Sequence, residues 1–599
     1  MPMQDDSLSI VPFRGGALER AAKGRLRDLC RSQAASLALG PQLDRYMQRL
    51  EIELAAFDEL SIDPGVILEL SWVVRDLRSR GVVFGLGYGP QCGSLLLYLL
   101  GLHGVDPHQH ELPFTGFGSE LEAQRLHLRV PSRAEQAETA SMLRHYARLS
   151  PIDEVDEKAV YVVIGRERAA GLSREMIDML ARMQGHSGYD PAECIWTWSD
   201  NDRKPFALIA RGQTSGIHLL DDPQLRECLL RKPPQSLDEL VRLVAACRHG
   251  AHGGQKNKYL AACEGQDIPA LPHPELEKVL APTANVWLFS EQIVAALARL
   301  MRLSWEEALR VSRELAAESE TALEGEASAR AAKAIAESCA LPEARGVYLL
   351  RMLRQALAQS IERSALLPEV LEAYRQAYIR ARFPAVFYAA QMNMLLELFG
   401  AWEGVRYTQP SGTSQGSEHR DALLEVCRNA AQDGITVLPP DINRSEWGFT
   451  AIDHDRILFG LGAIACIDRA SARRIVGGRS KGSYSSIIDL ITRAYGGDLN
   501  VHLIEPLILS GAMDGVRRPR SALCRELAAI SGGTDVGNSA TAQEVSNWAN
   551  EQLPGEEAWG GARSEESWAF QREMDVLGCV PSSGYFPYKR GDNTISVCS

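Results

Sequence analysis

The stretch GITVLPPDINRSEWGFTAIDHDRILFGLGAIACIDRASARRIVGGR, residues 434–479, is the most informative part of this 599-residue chain. It opens a compact module, rich in helix-forming residues, that runs to about Gly515. Two of its glycines, Gly460 and Gly462, stand before a helical segment, and glycine lets a phosphate approach the backbone closely. The helical segment carries three arginines that can pair with phosphates: Arg469, Arg473 and Arg474. The stretch therefore predicts a compact helical module whose glycines and arginines are residue types suited to contacts with phosphate.

The turn before those arginines argues against phosphate binding. It reads Cys466-Ile467-Asp468, and the Asp468 carboxylate would repel a phosphate. The arginines behind it could compensate for that repulsion. A module that is kept for packing alone explains the same residues, and the sequence leaves both interpretations open.

The composition of the whole chain is typical of an ordinary multidomain protein. Hydrophobic residues make up 45% and charged residues 24% of the chain, as in globular proteins. The net charge of −13 removes any argument for DNA binding from composition, although it does not exclude a basic groove. We find no run of about 18 uncharged apolar residues and no signal peptide, so we expect no membrane contact and a cytoplasmic location. The 12 cysteines are scattered singly, which predicts neither a disulfide framework nor a structural metal.

Several separated segments resemble one known family, in that family's own order. VVFGLGYGPQCGSLLLYLLGLHGVDPHQHELPF (82–114) is similar to its palm motif G-x-G-R-G-S-A-A-G-S-L, and LIARGQTSGIHLL (208–220) is similar to its fingers motif R-G-D-T-x-G-V-F-Q-L. The segment 434–479 resembles its helix-hairpin-helix region, including L-P-P-D-I-N-x-S. The family is the alpha subunit of bacterial DNA polymerase III, a C-family DNA polymerase.

The resemblance implies a multidomain, mainly α fold with a small α/β palm remnant of the polymerase-β type and a helix-hairpin-helix module. It also implies a shortened chain that lacks the family's PHP and OB domains. We expect five segments: a helical lead-in (1–70), a degenerate palm and thumb remnant (71–190), helical fingers (191–407), tandem helix-hairpin-helix motifs (408–530), and a linker with a C-terminal tail (531–599). The alanine-rich segment 324–338 within the fingers predicts close helix packing.

The family's catalytic carboxylates have no counterpart at the matching positions. Nucleotidyl transfer uses two divalent metals, and magnesium prefers carboxylate oxygens, which the family supplies as P-D-x-D on one palm strand and a distant third Asp. Here the equivalent strand reads RLHLRV (125–130), with His127 and Arg129 at those two positions. Arg129 has a fixed positive charge, and one imidazole is a poor magnesium ligand. We therefore expect no catalytic residue, no metal site and no cofactor.

The segments that would surround the nucleotide have also changed. The family's G-R-G-S turn becomes Gly87-Tyr88-Gly89-Pro90, and its R-R-A-M-G-K-K run retains Arg313 as its one basic residue. By resemblance, six residues form the remnant of the nucleotide site: Gly85, Gly87, Gly89, Gly93, Ser94 and Arg313.

Three functions fit these observations. The first is a non-catalytic accessory or scaffold protein of DNA replication or repair, which binds primed or single-stranded DNA or other replication and repair proteins. The second is an active DNA polymerase that uses Mg²⁺ at a relocated carboxylate pair, either Asp200 with Asp202 or Asp453 with Asp455. The third is a regulator that acts through protein contacts alone and has no affinity for DNA.

Overall fold

The computed structural model describes residues 9–13, 19–37, 40–59, 64–80, 82, 84–117, 125–130, 133–146, 160–166, 168–183, 202–248, 254–266, 270–318, 325–399, 414–464, 466–496, 501–533, 562–577 and 581. These residues are mostly helical, with two small sheets, which confirms the expected fold class. They divide into two compact units: Met1–Arg174 with Ala192–Tyr378, and Glu175–Pro191 with Ile379–Ser599. The five expected segments remain a prediction.

The described part of the first unit is a series of helices. They are α1 (Glu19–Leu37), α2 (Pro41–Asp58), α3 (Pro64–Ser79), α4 (Leu95–Leu99), α5 (Arg133–Tyr146), α6 (Arg168–Met183), α7 (Arg203–Ala210), α8 (Pro223–Arg231), α9 (Leu237–Arg248), α10 (Gly254–Cys263), α11 (Pro274–Leu280), α12 (Ser290–Met301), α13 (Trp305–Ala317), α14 (Glu326–Ser338), α15 (Glu343–Gln359) and α16 (Arg363–Arg382). The boundaries between the units fall inside α6 and α16.

The sheet of the first unit has three strands: β1 (Ser9–Phe13), β2 (Arg125–Val130) and β3 (Val160–Arg166). Their order is β1-β3-β2, with β3 antiparallel to β1 and parallel to β2. Helices α1 to α4 build a hydrophobic core with β2, which contributes the buried Leu128 and Val130. The core thus fixes β2, the strand that contains His127 and Arg129.

A second core in this unit joins α12, α13, α14 and α15. Ser304 and Glu307 form a capping box at the start of α13, which satisfies backbone N–H groups that a helix leaves unpaired. Helices α14 and α15 pack so closely that a Cβ added at Gly346 would lie 2.3 Å from the carbonyl oxygen of Ala332. The close packing expected from the alanine-rich segment is therefore confirmed.

The described part of the second unit is also mainly helical. Its elements are α17 (Pro384–Phe399), α18 (Ser414–Gln432), β4 (Thr436–Leu438), β5 (Thr450–Ala451), β6 (Arg456–Leu458), α19 (Arg469–Gly478), α20 (Ile487–Tyr495), α21 (Val501–Leu509), α22 (Arg520–Gly533) and α23 (Ala562–Leu577). The order in the small sheet is β4-β6-β5. Within the described residues, no helix is both long enough and apolar enough to span a membrane.

Candidate functional site

Strand β2 contains His127 and Arg129, the two positions at which the sequence analysis expects the family's carboxylates. His127 and Arg129 alternate along it with Leu128 and Val130, whose side chains are 1% and 0% exposed. Because residues i and i+2 of a strand share one face, positions 127 and 129 form a pair opposite the core face. The adjacent strand β3 has the sequence VYVVIGR and adds no carboxylate. The strand and its alternation therefore match the sequence prediction, with basic residues at the paired positions.

Two of the carboxylates considered as replacements, Asp202 and Asp453, have other partners. Asp202 caps α7 by accepting a hydrogen bond from the Lys204 backbone N–H at 3.0 Å. Asp453 accepts one from Nε of Arg456 at 2.6 Å, which holds the pKa of this carboxyl below its usual value. Asp200 lies outside the described residues. Among the described residues, no group of three or more His, Cys, Asp or Glu side chains is arranged to hold a metal ion.

Two glycines of the palm turn adopt backbone conformations that favour glycine. Gly87 has a φ of 122°, and a Cβ there would lie 2.6 Å from Sγ of Cys92. Gly89 has a φ of 76° and precedes a 3-10 turn at Pro90–Gly93. Residues other than glycine rarely adopt these positive φ values, so the backbone of this turn requires glycine at both positions.

A buried carboxylate accepts hydrogen bonds from the groups that follow this turn. The sequence analysis did not identify it. Glu53 of α2 is fully buried and accepts a hydrogen bond from the Ser94 hydroxyl at 2.8 Å. It also accepts from the backbone N–H groups of Leu95 and Leu96, both at 2.9 Å. A signal was present in the sequence, since Glu53 lies three residues after the core residue Leu50 on the apolar face of α2. Because Ser94 serves an internal acceptor, it is not an open donor for a phosphate.

Two arginines donate hydrogen bonds to backbone carbonyls of this region. Arg49 lies 2.5 Å from the Glu53 carboxylate, donates to the carbonyl of Gly93 at 2.9 Å and stacks over the ring of Phe114. Arg313 of α13 donates to the carbonyl of Thr115. Five of the predicted remnant residues, from Gly85 to Ser94, thus lie on one turn, and Arg313 contacts the loop that follows α4.

In the second unit, the two glycines predicted to contact DNA are packing residues. Both are buried beneath Trp447. A Cβ at Gly462 would lie 2.7 Å from the indole ring, and one at Gly460 would lie 2.7 Å from the Trp447 carbonyl oxygen. The close approach that requires glycine here is made by Trp447, so these positions offer no open backbone to a phosphate.

A carboxylate of the hairpin before α19 caps the N-terminus of that helix. Cys466 occupies the left-handed region with a φ of 66°, a conformation that favours glycine. Asp468 is the N-cap of α19 and accepts a hydrogen bond from the Ser471 backbone N–H at 2.6 Å. Hydrogen bonds from Ser471 lower the pKa of the Asp468 carboxyl, so it is ionised at neutral pH. The helix terminus that would attract a phosphate therefore already holds a negative charge.

The arginines behind the hairpin are exposed. Arg473 and Arg474 face solvent on α19. Arg469 lies over the ring of Trp447 and pairs with Glu397 at 3.3 Å, with 56% of its side chain exposed. By contrast, Arg479 donates to the carbonyl of Ile442 at 2.8 Å and is held inside the module. Helix α19 thus carries three exposed positive charges.

Family models match three regions of the chain. A model described as the bacterial DNA polymerase III alpha NTPase domain matches residues 24–125, and the finger domain of the same subunit matches residues 156–338. A helix-hairpin-helix motif matches residues 434–523. Two of the three matched regions are thus domains of one class of protein, the alpha subunit of bacterial DNA polymerase III.

The curated relatives of this chain belong to the same class of protein. The chain is 26% identical over 330 residues to DNA polymerase III subunit alpha of Aquifex aeolicus, which covers 55% of the chain and 26% of that protein. It is 22% identical over 619 residues to the same subunit of Bacillus subtilis, covering 84% of the chain and 53% of that protein. The chain is therefore a relative of the bacterial DNA polymerase III alpha subunit. It spans about half or less of the length of these relatives.

Proposed function

We propose that this chain is a non-catalytic, cytoplasmic member of the DNA polymerase III alpha family that acts in DNA replication or repair as a DNA-binding accessory protein. The observation that carries the proposal is the pair His127 and Arg129 on the fixed strand β2. A cation of charge +2 is repelled by a guanidinium group, and a single imidazole supplies none of the oxygen ligands that magnesium prefers.

The surroundings of the palm turn support the same proposal. Ser94 donates to Glu53, and Asp202 caps a helix. Because the Ser94 hydroxyl and the backbone N–H groups of Leu95 and Leu96 already donate to Glu53, this turn offers fewer donors to a nucleotide triphosphate.

A primer-extension assay with a primed template, all four deoxynucleotides and either Mg²⁺ or Mn²⁺ tests the lack of catalysis. We expect no extension with either metal. Metal-dependent extension that persists in a highly purified preparation and disappears in Asp202→Ala would overturn the proposal in favour of an active polymerase with relocated ligands.

Binding of DNA rests on the exposed arginines of α19. We expect fluorescence anisotropy to detect binding of a labelled primed duplex, with an affinity that falls as salt rises because bound phosphates release counterions. The double variant Arg473→Gln/Arg474→Gln should reduce the slope of log affinity against log salt by about 2, one for each lost phosphate contact. Arg330→Gln, an exposed arginine in the first unit, is the matched control. Absence of salt-dependent binding would favour a regulator that acts through protein contacts alone.

A further inference from the structure

Helices α8 and α9 of the first unit pack together and bring two thiols into contact. Cys228 lies on α8 and Cys247 lies on α9, 19 positions further along the chain, so no local spacing identifies them as a pair. Their side chains are joined by a hydrogen bond between the two thiols. Both cysteines are free. The packing of the two helices therefore builds a dithiol.

The two thiols differ in their access to solvent. Cys228 is 0% exposed, and its Sγ donates to the backbone carbonyl of Gln224 at 3.1 Å. Cys247 is only partly buried and lies next to the last residue of α9. A small oxidant therefore reaches Cys247 first, and Cys228 lies behind it in the position of a resolving cysteine.

A lysine lies beside both sulfur atoms. Lys256, on α10, forms a hydrogen bond with Cys228 and an ion pair with Glu227 at 3.6 Å, and the Glu227 side chain is 73% exposed. Burial and the neighbouring Cys228 raise the pKa of the Cys247 thiol, and the positive charge of Lys256 opposes that rise. Because the thiolate is the nucleophile, we expect oxidation to be slow at neutral pH and to be accelerated by Lys256.

We propose that Cys228 and Cys247 form a redox-sensitive modification site, at which a peroxide converts the two thiols to a disulfide. The thiolate of Cys247 attacks one oxygen of hydrogen peroxide, the O–O bond breaks, and one water leaves with the proton of the thiol. The thiolate of Cys228 then attacks the sulfur of the sulfenic acid on Cys247, the S–O bond breaks, and a second water leaves. The thiols lose two electrons and two protons, and these reduce the peroxide to two waters.

The contact between the thiols places little demand on the fold. A disulfide requires a sulfur–sulfur distance of about 2.05 Å, and two hydrogen-bonded thiols approach that distance by rotation of their side chains. The cross-link fixes the end of α9 on α8, where Arg248 pairs with Glu369 of α16 at 2.6 Å. In a reducing compartment such disulfides are transient and serve redox sensing. This inference goes beyond the proposed function and does not depend on whether the chain binds DNA.

Peptide mapping of the full native chain after treatment with hydrogen peroxide tests the proposal. The remaining thiols are blocked with iodoacetamide in denaturant, and trypsin digestion without reductant then releases ECLLR (227–231) and LVAACR (243–248). We expect mass spectrometry to find these two peptides joined by a disulfide and dithiothreitol to separate them. Cys247→Ser should abolish the linked peptide. Cys263→Ser, which removes another partly buried thiol, should leave it unchanged.

The rate of cross-linking tests the role of the lysine. Lys256→Gln should slow the formation of the linked peptide roughly twofold to fivefold, as for the loss of a charge interaction of less than about 1 kcal/mol. Lys258→Gln, an exposed lysine of the same helix, is the matched control. An unchanged rate in Lys256→Gln would overturn the role assigned to its charge.

The dithiol itself is tested by the identity of the cross-link and by its effect on stability. The proposal fails if the two peptides stay separate after oxidation, or if Cys247 is linked to a cysteine other than Cys228. A cross-link restricts the unfolded chain, so the oxidised protein should melt at a higher temperature than the reduced protein. Cys247→Ser should not show this difference. Because Cys247 is only partly buried, this variant is expected to fold even if Cys228→Ser does not.

Discussion

Glu53 accepts a hydrogen bond from the hydroxyl of Ser94 at 2.8 Å, although the two residues are 41 positions apart in the chain. Ser94 is itself the N-cap of α4 and accepts a hydrogen bond from the Leu97 backbone N–H at 3.2 Å. The carboxylate of α2 and the start of α4 thus form one buried polar unit directly after the palm turn.

Replacing Glu53 should destabilise the first unit. Glu53→Gln leaves Arg49, which is 21% exposed, without its ionic partner, and the loss of one member of a buried pair costs about 3 kcal/mol. The free energy of unfolding, measured by urea denaturation, reports the change. Glu51→Gln is the matched control two residues away, where an exposed pair with Arg31 should contribute less than about 1 kcal/mol. Equal effects of the two variants would contradict the assigned role of Glu53.

Glycine at position 346 should be required for the packing of α14 against α15. Gly346→Ala places a Cβ within 2.3 Å of a backbone oxygen, so we expect the free energy of unfolding to fall by about 1–3 kcal/mol. Gly477→Ala, in α19, meets nothing within 4 Å and should instead stabilise by about 0.5–1 kcal/mol. Thermal denaturation of both variants tests the opposite signs, and a stabilising Gly346→Ala would show that the helices can separate at no cost.

The carboxylate at the hairpin should limit DNA affinity. Asp468→Asn keeps a side chain that caps helices equally well and removes the negative charge. We expect binding of a primed duplex to tighten roughly twofold to fivefold, as for the removal of an exposed charge interaction of less than about 1 kcal/mol. Asp455→Asn, an exposed residue away from α19, is the control in the anisotropy assay. Unchanged affinity in Asp468→Asn would indicate that DNA does not approach this hairpin.

A buried acid should make the second unit more stable at lower pH. Burial raises the pKa of Glu505 to about 7, and the charge of Arg572 opposes that rise. Between the pKa of an unfolded Glu, about 4.3, and 7, the folded chain retains a proton that the unfolded chain has lost. The contribution of Glu505 to stability is therefore present in full below the unfolded pKa and is lost as the pH rises through 7.

Urea denaturation at about pH 5.5 and about pH 8 measures this dependence. Glu505→Gln, which cannot ionise, should be more stable than the wild-type chain at the higher pH and should show a weaker fall in stability between the two. An identical pH profile for both proteins would show that Glu505 does not contribute.

Local features of the chain could be predicted from the sequence because they depend on near neighbours. The strand at 125–130, with His127 and Arg129 in alternation, follows from a spacing of two residues. The helical character of most of the chain and the close packing at 324–338 follow from residue composition.

The sequence by itself determined the kinds of element and the charges at the palm positions, because propensity and side-chain alternation act over a few residues. Tertiary structure alone decided that Glu53 meets Ser94, that Trp447 covers Gly460 and Gly462, and that Cys247 meets Cys228. These partners are brought together by packing between distant segments. Whether a polar group faces solvent, a ligand or another side chain depends on that packing, and no local pattern encodes it.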